Sequence, residues 1–421
     1  MTSPNFSTDM KMAWRNVWRN PRRTWLTVSA ISFACMVLIF MLSFQFGSYE
    51  TMINSSVKIN TGHIQVQAKG YFDKKSMRRV VDSPEAVIRM ISRIDYVEAV
   101  TARASTFSLV SSKDRTYGAV VVGIDPVLES KVSTLKSLIR KGRFLSDMSE
   151  NENSDKALIG TLLAQNLKVG LDDELTILGQ GRDGSVAATI LKVAGIYESG
   201  LDALDRSTLH IPLKTFQAVY AMGNAVHEII VNVDSLHDVP MVKQDIVDGL
   251  KAIPAGKNLV VMDWDELVPG LTQAIEIDLT MGLVFWVLLV VVVAFSILNT
   301  FLMAIFERTR EFGVMMAIGT TPGRLVKLLL YESNFMTMTG ITLGVLIGCG
   351  LTLIFQIYGI DVSGSSEILK QYGITGRIYP RLSLITAFAG PLLVWMITLT
   401  VALYPALKIK RLRPVEAMVH V

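Results

Sequence analysis

Four groups of residues have side chains or spacings that chemistry could use. Gly179, Gly181 and Gly184 match the G-x-G-x-x-G pattern that lets a backbone approach a pyrophosphate. That pattern works where it opens a helix after a strand. Here it lies between two strand-like runs, which predicts a hairpin turn. The five histidines, His63, His210, His227, His237 and His420, fall at no metal-ligand spacing. Asp202, Asp205 and Arg206, in GLDALDRSTLHIPL, could imitate a carboxylate site, but they precede a strand in a turn-rich stretch and are expected on a solvated loop. No Ser or Cys stands in a nucleophile elbow, and no G-x-x-x-x-G-K-[ST] phosphate loop occurs. The chain is therefore expected to be no enzyme, with no catalytic, cofactor-binding or metal residue of its own.

The fourth group points to mechanical work. The stretch Glu307–Glu332, ERTREFGVMMAIGTTPGRLVKLLLYE, opens with the charges Glu307, Arg308, Arg310 and Glu311. A small apolar patch, Gly313–Ile318, follows, then a turn at Gly319-Thr-Thr-Pro322-Gly323, then Arg324 and Lys327. A plain connection between two apolar runs does not need this pattern. A short helix that docks on a partner at a membrane surface does.

The elements that position this stretch are four runs free of Asp, Glu, Lys, Arg and His: 24–49, 279–306, 333–360 and 382–407. Each exceeds the roughly 20 residues that cross a bilayer core as a helix. The first is too long for a signal-peptide core and lacks a cleavage site, so it is expected to stay in the mature protein. Lys11, Arg15, Arg19, Arg22 and Arg23 precede the first run; Arg308, Arg310, Arg324 and Lys327 separate the second and third; Lys408, Lys410, Arg411 and Arg413 follow the fourth. Loop charge bias puts all three clusters, and both termini, in the cytoplasm. The segment 50–278 is then extracytoplasmic, with a short outer loop at 361–381 and a cytoplasmic tail at 408–421. The predicted fold class is an α-helical four-span membrane protein with a large α+β extracytoplasmic domain between spans one and two. The mild net charge of +4 lies beside apolar runs and points to membrane, with no nucleic-acid partner. Cys35 and Cys349 both sit in apolar runs and are expected to be small buried side chains outside any disulfide framework.

Along the chain, residues 1–23 are expected to form a cytoplasmic amphipathic elbow or an ordinary positively charged flank, in which Met12, Trp14, Val17 and Trp18, with Trp25 just beyond, alternate with arginines. Pro21 is expected to break it from the first span. In the large polar segment His63–Gln67 reads as a half-buried strand, and Ser83-Pro84-Glu85 as a helix start with Ser as cap. Tyr117–Ile124 reads as a buried strand and Lys156–Val169 as a helix. Glu174–Leu178 and Val186–Ile196 read as strands around the Gly-rich turn, and Thr208–Leu213, Glu228–Val233 and Leu259–Met262 as further strands. Met241–Ile253 reads as a helix, and Asp265–Ile277 as one running straight into the second span. In the third span Gly340, Gly344 and Gly348 repeat every four residues, a ridge on which another helix can pack closely. No ionisable side chain falls inside a run and no inverted repeat is visible, which disfavours an ion-coupled transporter.

Three segments resemble one family. The coupling stretch, the opening AWRNVWRNPRRTWLT and the end YPALKIKRLRPVEAM are similar to the signatures of the FtsX-like, MacB/LolC/LolE-type ABC transporter permeases, in that family's order. GHIQVQ and GIYESGLDALDRSTLHIPL look most like the lipoprotein-releasing LolC/LolE branch. The resemblance implies an inner-membrane permease subunit, paired with a second copy or a paralogue. A separate LolD/MacB-type ATPase dimer would bind ATP and Mg, so this chain needs no cofactor. It implies that Glu307, Arg308, Arg310, Glu311, Gly313, Ala317, Gly319 and Pro322 form the ATPase-coupling segment, and that Pro414 and Glu416 belong to a structural C-terminal motif. The implied cargo is a lipoprotein or other lipidic molecule, with membrane lipid and a periplasmic chaperone or adaptor as further partners. The hairpin Gly179–Ser185 is short for a chaperone hook. The alternatives are an FtsX-like signalling scaffold that controls a periplasmic partner, and MacB-like efflux with an adaptor and an outer-membrane channel.

Overall fold

The computed structural model describes residues 6–361 and 377–409. The C-terminal motif with Pro414 and Glu416, and most of the 361–381 loop, lie outside the described residues. Two compact units divide near Tyr49 and Ile275: a helical bundle and an α/β domain.

In chain order the first elements are α1 (Phe6–Val17), α2 (Pro21–Ser56), a π-helical turn Val57–Thr61, β1 (Ile64–Ala68) and α3 (Pro84–Ile91). They are followed by β2 (Val97–Ser111), β3 (Thr116–Ile124), α4 (Pro126–Val132), β4 (Ile139–Gly142), α5 (Glu150–Asn153), β5 (Lys156–Gly160) and α6 (Thr161–Leu167). Next come β6 (Glu174–Gln180), β7 (Val186–Tyr197), α7 (Asp202–Ser207), β8 (Thr208–Pro212), α8 (Leu213–Val219), β9 (Glu228–Val233), α9 (Val239–Ala252) and β10 (Leu259–Asp263). The chain ends with α10 (Trp264–Leu267), α11 (Pro269–Glu307), α12 (Thr309–Ala317), α13 (Pro322–Tyr358) and α14 (Leu384–Ile409).

Four of these helices, within α2, α11, α13 and α14, are long and apolar enough to cross a membrane. Pro21 opens α2 and Pro322 opens α13. Proline fits a first helical turn, where its missing N–H has no intrahelical partner. The third spanning helix therefore begins eleven residues before the apolar run at 333–360, and the coupling stretch includes its first turns. The centre of the bundle is α2, whose Val28, Ile31, Cys35 and Leu38 are buried with Ile297, Phe301, Met336 and Val394. Gly340, Gly344 and Gly348 lie on α2: a Cβ at Gly344 would stand 2.6 Å from Cys35 Cβ, and one at Gly340 2.8 Å from Ile31 Cβ. By contrast, most large side chains of α11 are exposed, Phe285 and Leu288 among them. Cys35 is fully buried and Cys349 only half-buried, a correction to the expectation for the latter.

In the α/β domain one long strand organises two lobes. The first half of β2 pairs with β9, which continues through β1 to the edge strand β10. Helices α3 and α9 cover this open sheet; Val87, Ile91, Val242 and Ile246 meet Val66, Val231 and Val261 in its core. The second half of β2 pairs with β3 on one side and β6 on the other. The path β2-β3-β8-β5-β7-β6 returns to β2, so six strands close into a barrel. Its interior is filled by Val110, Val121, Ile159, Ile177, Val193 and Leu209.

Several expectations are corrected here. Strand β1 is buried along its whole length, Gln65 and Gln67 included, because it lies between two neighbouring strands with both faces covered. The stretch Lys156–Val169 is a strand and then a short helix. Ala157, Leu158 and Ile159 are all fully buried, a pattern that periodicity cannot separate from a buried helix. Tyr117 and Gly118 are exposed, so β3 is buried only in its later half. Ser83 precedes α3 but makes no side-chain cap. The helix before the second span is interrupted at Val268, because Pro269 disfavours helical geometry in the preceding residue. Asp202, Asp205 and Arg206 are helical, in α7, and Asp205 is buried, accepting hydrogen bonds from Ser199 N and Oγ at 2.9 and 2.7 Å. The G-x-G-x-x-G stretch is the predicted hairpin turn between β6 and β7, with Gly184 at φ 90°.

Candidate functional site

The eight residues of the coupling pattern gather at one end of the bundle, where α12 bridges α11 and α13. Arg308 ends α11 and caps α12; its carbonyl accepts the Phe312 N–H at 3.0 Å. Phe312 is fully buried and, with Ile305, Leu325 and Leu329, makes a small apolar core beneath the helix. At the far end Gly319 takes φ 100°, a left-handed conformation that side chains resist, and its N–H donates to Met316 O at 3.1 Å. This closes α12 and turns the chain into Pro322. The sequence thus produces a short helix fixed at both ends.

Ion pairs fasten it further. Arg308 Nη1 donates to Glu332 Oε2 at 2.9 Å and Oε1 at 3.2 Å, its Nε donates to Glu311 at 3.1 Å, and the guanidinium lies over the Phe312 ring at 5.4 Å. Asn16 of α1 donates to Glu332 Oε1 at 2.6 Å. Glu311 also accepts from Arg19, Glu307 accepts from Arg23 at 3.1 Å, and Arg324 donates to Asp9 of α1 at 2.7 Å. The Arg19 hydrogen bond holds the Glu311 carboxyl below its ordinary range, against a smaller opposing effect of desolvation. So α1, the start of α2, α12 and the base of α13 form one charge-laced assembly around a cleft of about 610 Å³, lined by Met12, Asn16, Arg310, Val314 and Leu328 among others.

The structure separates the predicted coupling residues into two sets. Arg308 and Gly313 are buried: Arg308 is turned inward by Glu332, and Gly313 lies on the packed side of α12 beside Phe312. Glu307, Arg310, Ala317, Gly319 and Pro322 are exposed, and Glu311 is half-buried between two arginines. Arg310, Val314, Ala317 and Ile318, at i, i+4, i+7 and i+8, form an exposed stripe, with Ile318 79% accessible. Glu332 and Asn16 were not singled out by sequence. They lie 24 and 292 positions from Arg308, and only a lone carboxylate at the edge of an apolar run hinted at the first.

Comparison with known proteins agrees with both units. Residues 24–248 match the MacB-like periplasmic core domain, and residues 283–414 the FtsX-like permease C-terminal domain. The macrolide export ATP-binding/permease protein MacB of Shewanella sp. (strain ANA-3) is 23% identical over 98% of this chain and 60% of its own length. The MacB of Vibrio parahaemolyticus gives the same identity and coverage. The chain thus spans about three-fifths of the length of the curated relatives it matches. The periplasmic region of MacB from Actinobacillus actinomycetemcomitans aligns over 52% of this chain and 94% of that one, at 16% identity and TM-score 0.38.

Proposed function

The chain belongs to the MacB-like, FtsX-like family of ABC transporter permeases, multi-pass proteins of the inner membrane, and from that premise we infer that it is a permease subunit driven by a separate ATPase. The observation that carries this reading is the exposed stripe Arg310–Val314–Ala317–Ile318 on a helix otherwise fixed on all sides. A partner that binds ATP and Mg would seat on that stripe, with the charged end of the bundle and both termini in the cytoplasm. Closure of an ATPase dimer would then move α12. Arg308–Glu332 would pass that movement to α13, and Arg19–Glu311 and Arg23–Glu307 would pass it to the start of α2.

The work is done on the periplasmic side, on a lipoprotein or another lipidic molecule, by a pair of permease chains. An exposed apolar area on the outer face of the barrel, with Phe107, Leu109, Leu178, Val186 and Ile190, supports an apolar cargo or partner there. A second reading, efflux with a periplasmic adaptor, is favoured by relatives named as macrolide export proteins. The test of coupling is Ala317→Trp. A bulky side chain on the stripe should weaken capture of the ATPase roughly 5- to 150-fold, the equivalent of about 1–3 kcal/mol of overpacking. The size-exclusion profile of the chain should stay unchanged. A folded Ala317→Trp chain that binds and stimulates its ATPase like the parent would remove α12 from this account.

A further inference from the structure

The basic residues at this end of the bundle divide into two classes. Arg19 and Arg23 pair with Glu311 and Glu307. Lys11, Arg15 and Arg22 are exposed, and among the described residues no carboxylate pairs with any of them. Their positions follow a rule. On α1, Lys11, Trp14 and Arg15 fall at i, i+3 and i+4, one face of a helix, Trp18 follows in the turn just beyond it, and all four are exposed. On α2, Arg22, Trp25, Leu26 and Ser29 repeat the same spacing and are again all exposed. The two faces are joined: Trp14 meets Trp18 edge-on at 5.9 Å, and Trp18 meets Trp25 at 6.0 Å. Beyond Trp25 the face continues as Leu26, 71% accessible, and Phe33, 64% accessible, on the outside of the first membrane-spanning helix.

We propose that this face is a binding site for the headgroup of an anionic phospholipid. Lys11, Arg15 and Arg22 would hold the phosphate-bearing headgroup, and the Trp14–Trp18–Trp25 ladder would hold the glycerol and upper acyl region. Tryptophan suits that depth because its ring is apolar and its N–H polar. Unpaired guanidinium groups at the same level favour a negative headgroup over a zwitterionic one. The continuity of the ladder with exposed apolar side chains of α2, Leu26 and Phe33, argues for lipid over an acidic protein surface. The proposal rests on the helices crossing a bilayer and is independent of cargo and of the ATPase.

The test is native mass spectrometry of the full chain. The protein is purified into detergent and exposed to equal amounts of phosphatidylglycerol and phosphatidylethanolamine of the same acyl chains. The unmodified chain should retain phosphatidylglycerol preferentially. Arg15→Gln/Arg22→Gln should reduce that preference roughly 30-fold, each cation near a charged surface contributing roughly fivefold. Arg15→Lys/Arg22→Lys should keep most of it, which separates charge recognition from loss of fold. No headgroup preference in the unmodified chain, or a preference that survives the double Gln change, overturns the proposal. A double Gln variant that keeps its lipid preference but loses ATPase capture would reassign the face to a protein partner.

Discussion

Two buried arginine–glutamate pairs invite comparison. In the α/β domain Arg103 of β2 donates to Glu129 of α4 at 3.0 and 2.5 Å and also reaches Asn60 O in the π-helical turn. At the charged end of the bundle Arg308 donates to Glu332 at 2.9 and 3.2 Å. The residue types and contacts are alike, but the surroundings are not. The domain pair is set in a continuous sheet with large apolar cores on either side. The bundle pair stands over a core of four buried side chains and shares its load with Glu311, Asn16, Arg19 and Arg23. In the domain, charge supplements packing. At the bundle end it ties α12, whose own core is four buried side chains, to α1, α2 and α13. A buried pair there suits an assembly held as one piece, because its polar contacts fix direction as well as distance.

Acid should break the comparison most strongly. His63, His210 and His227 lie buried in the domain, and burial pushes each down to about 4 from 6.5. The folded domain therefore binds fewer protons than the unfolded chain between those values, so its stability falls as pH drops from about 6.5 toward 4. Each histidine contributes about 1.4 kcal/mol per pH unit across that window. Glu311 has its folded value lowered, so its contribution persists above the ordinary carboxylate range and is lost only as pH falls below it. Hydrogen exchange on the full chain should show the domain opening at pH 5 while α12 stays protected. Loss of α12 protection first would invert the comparison.

Next in size is removal of one acid from each pair. Burial alone would raise Glu129, but Arg103 more than offsets it and holds the carboxyl below its usual value. Glu129→Gln leaves Arg103 buried without its counter-charge and should cost about 3–5 kcal/mol of domain stability. Glu332→Gln should cost less, about 1–3 kcal/mol, because Arg308 retains Glu311. Its larger effect should be on coupling, with ATPase turnover no longer matched to work at the domain. Thermal melts with paired turnover and transport assays measure both. Equal stability losses with intact coupling in both variants would erase the distinction. The smallest effect belongs to Arg19→Gln, an exposed partner of Glu311. No measurable change in melting is expected, because exposed pairs are screened. A clear fall in melting temperature would show that the outer pairs carry the assembly.

The four apolar helices, the hairpin and the short helix α12 could be read from sequence because each rests on a local pattern: apolar length, a glycine turn, charges beside a small apolar patch. What escaped was non-local. Strand β2, VEAVTARASTFSLVS, mixes alanine, serine and threonine without clean alternation, because its two halves face different neighbours. Strand β5 was read as helix because both its faces are covered. Glu332 marked only the end of the coupling stretch, and its burial against Arg308 and Asn16 depends on a tertiary meeting that no spacing announces. The same limit applies to Gly313, since only the packing of Phe312 decides which side of α12 turns inward.

The sharing of β2 between the open sheet and the closed barrel has a consequence for how the domain comes apart. Its fifteen residues donate and accept along both lobes, so neither can lose its order without stripping partners from the other. The lobes are therefore one cooperative unfolding unit despite their separate cores. The amides of β2 that pair with β9 and β3 should be among the slowest in the α/β domain to exchange with solvent, released only when the whole domain opens.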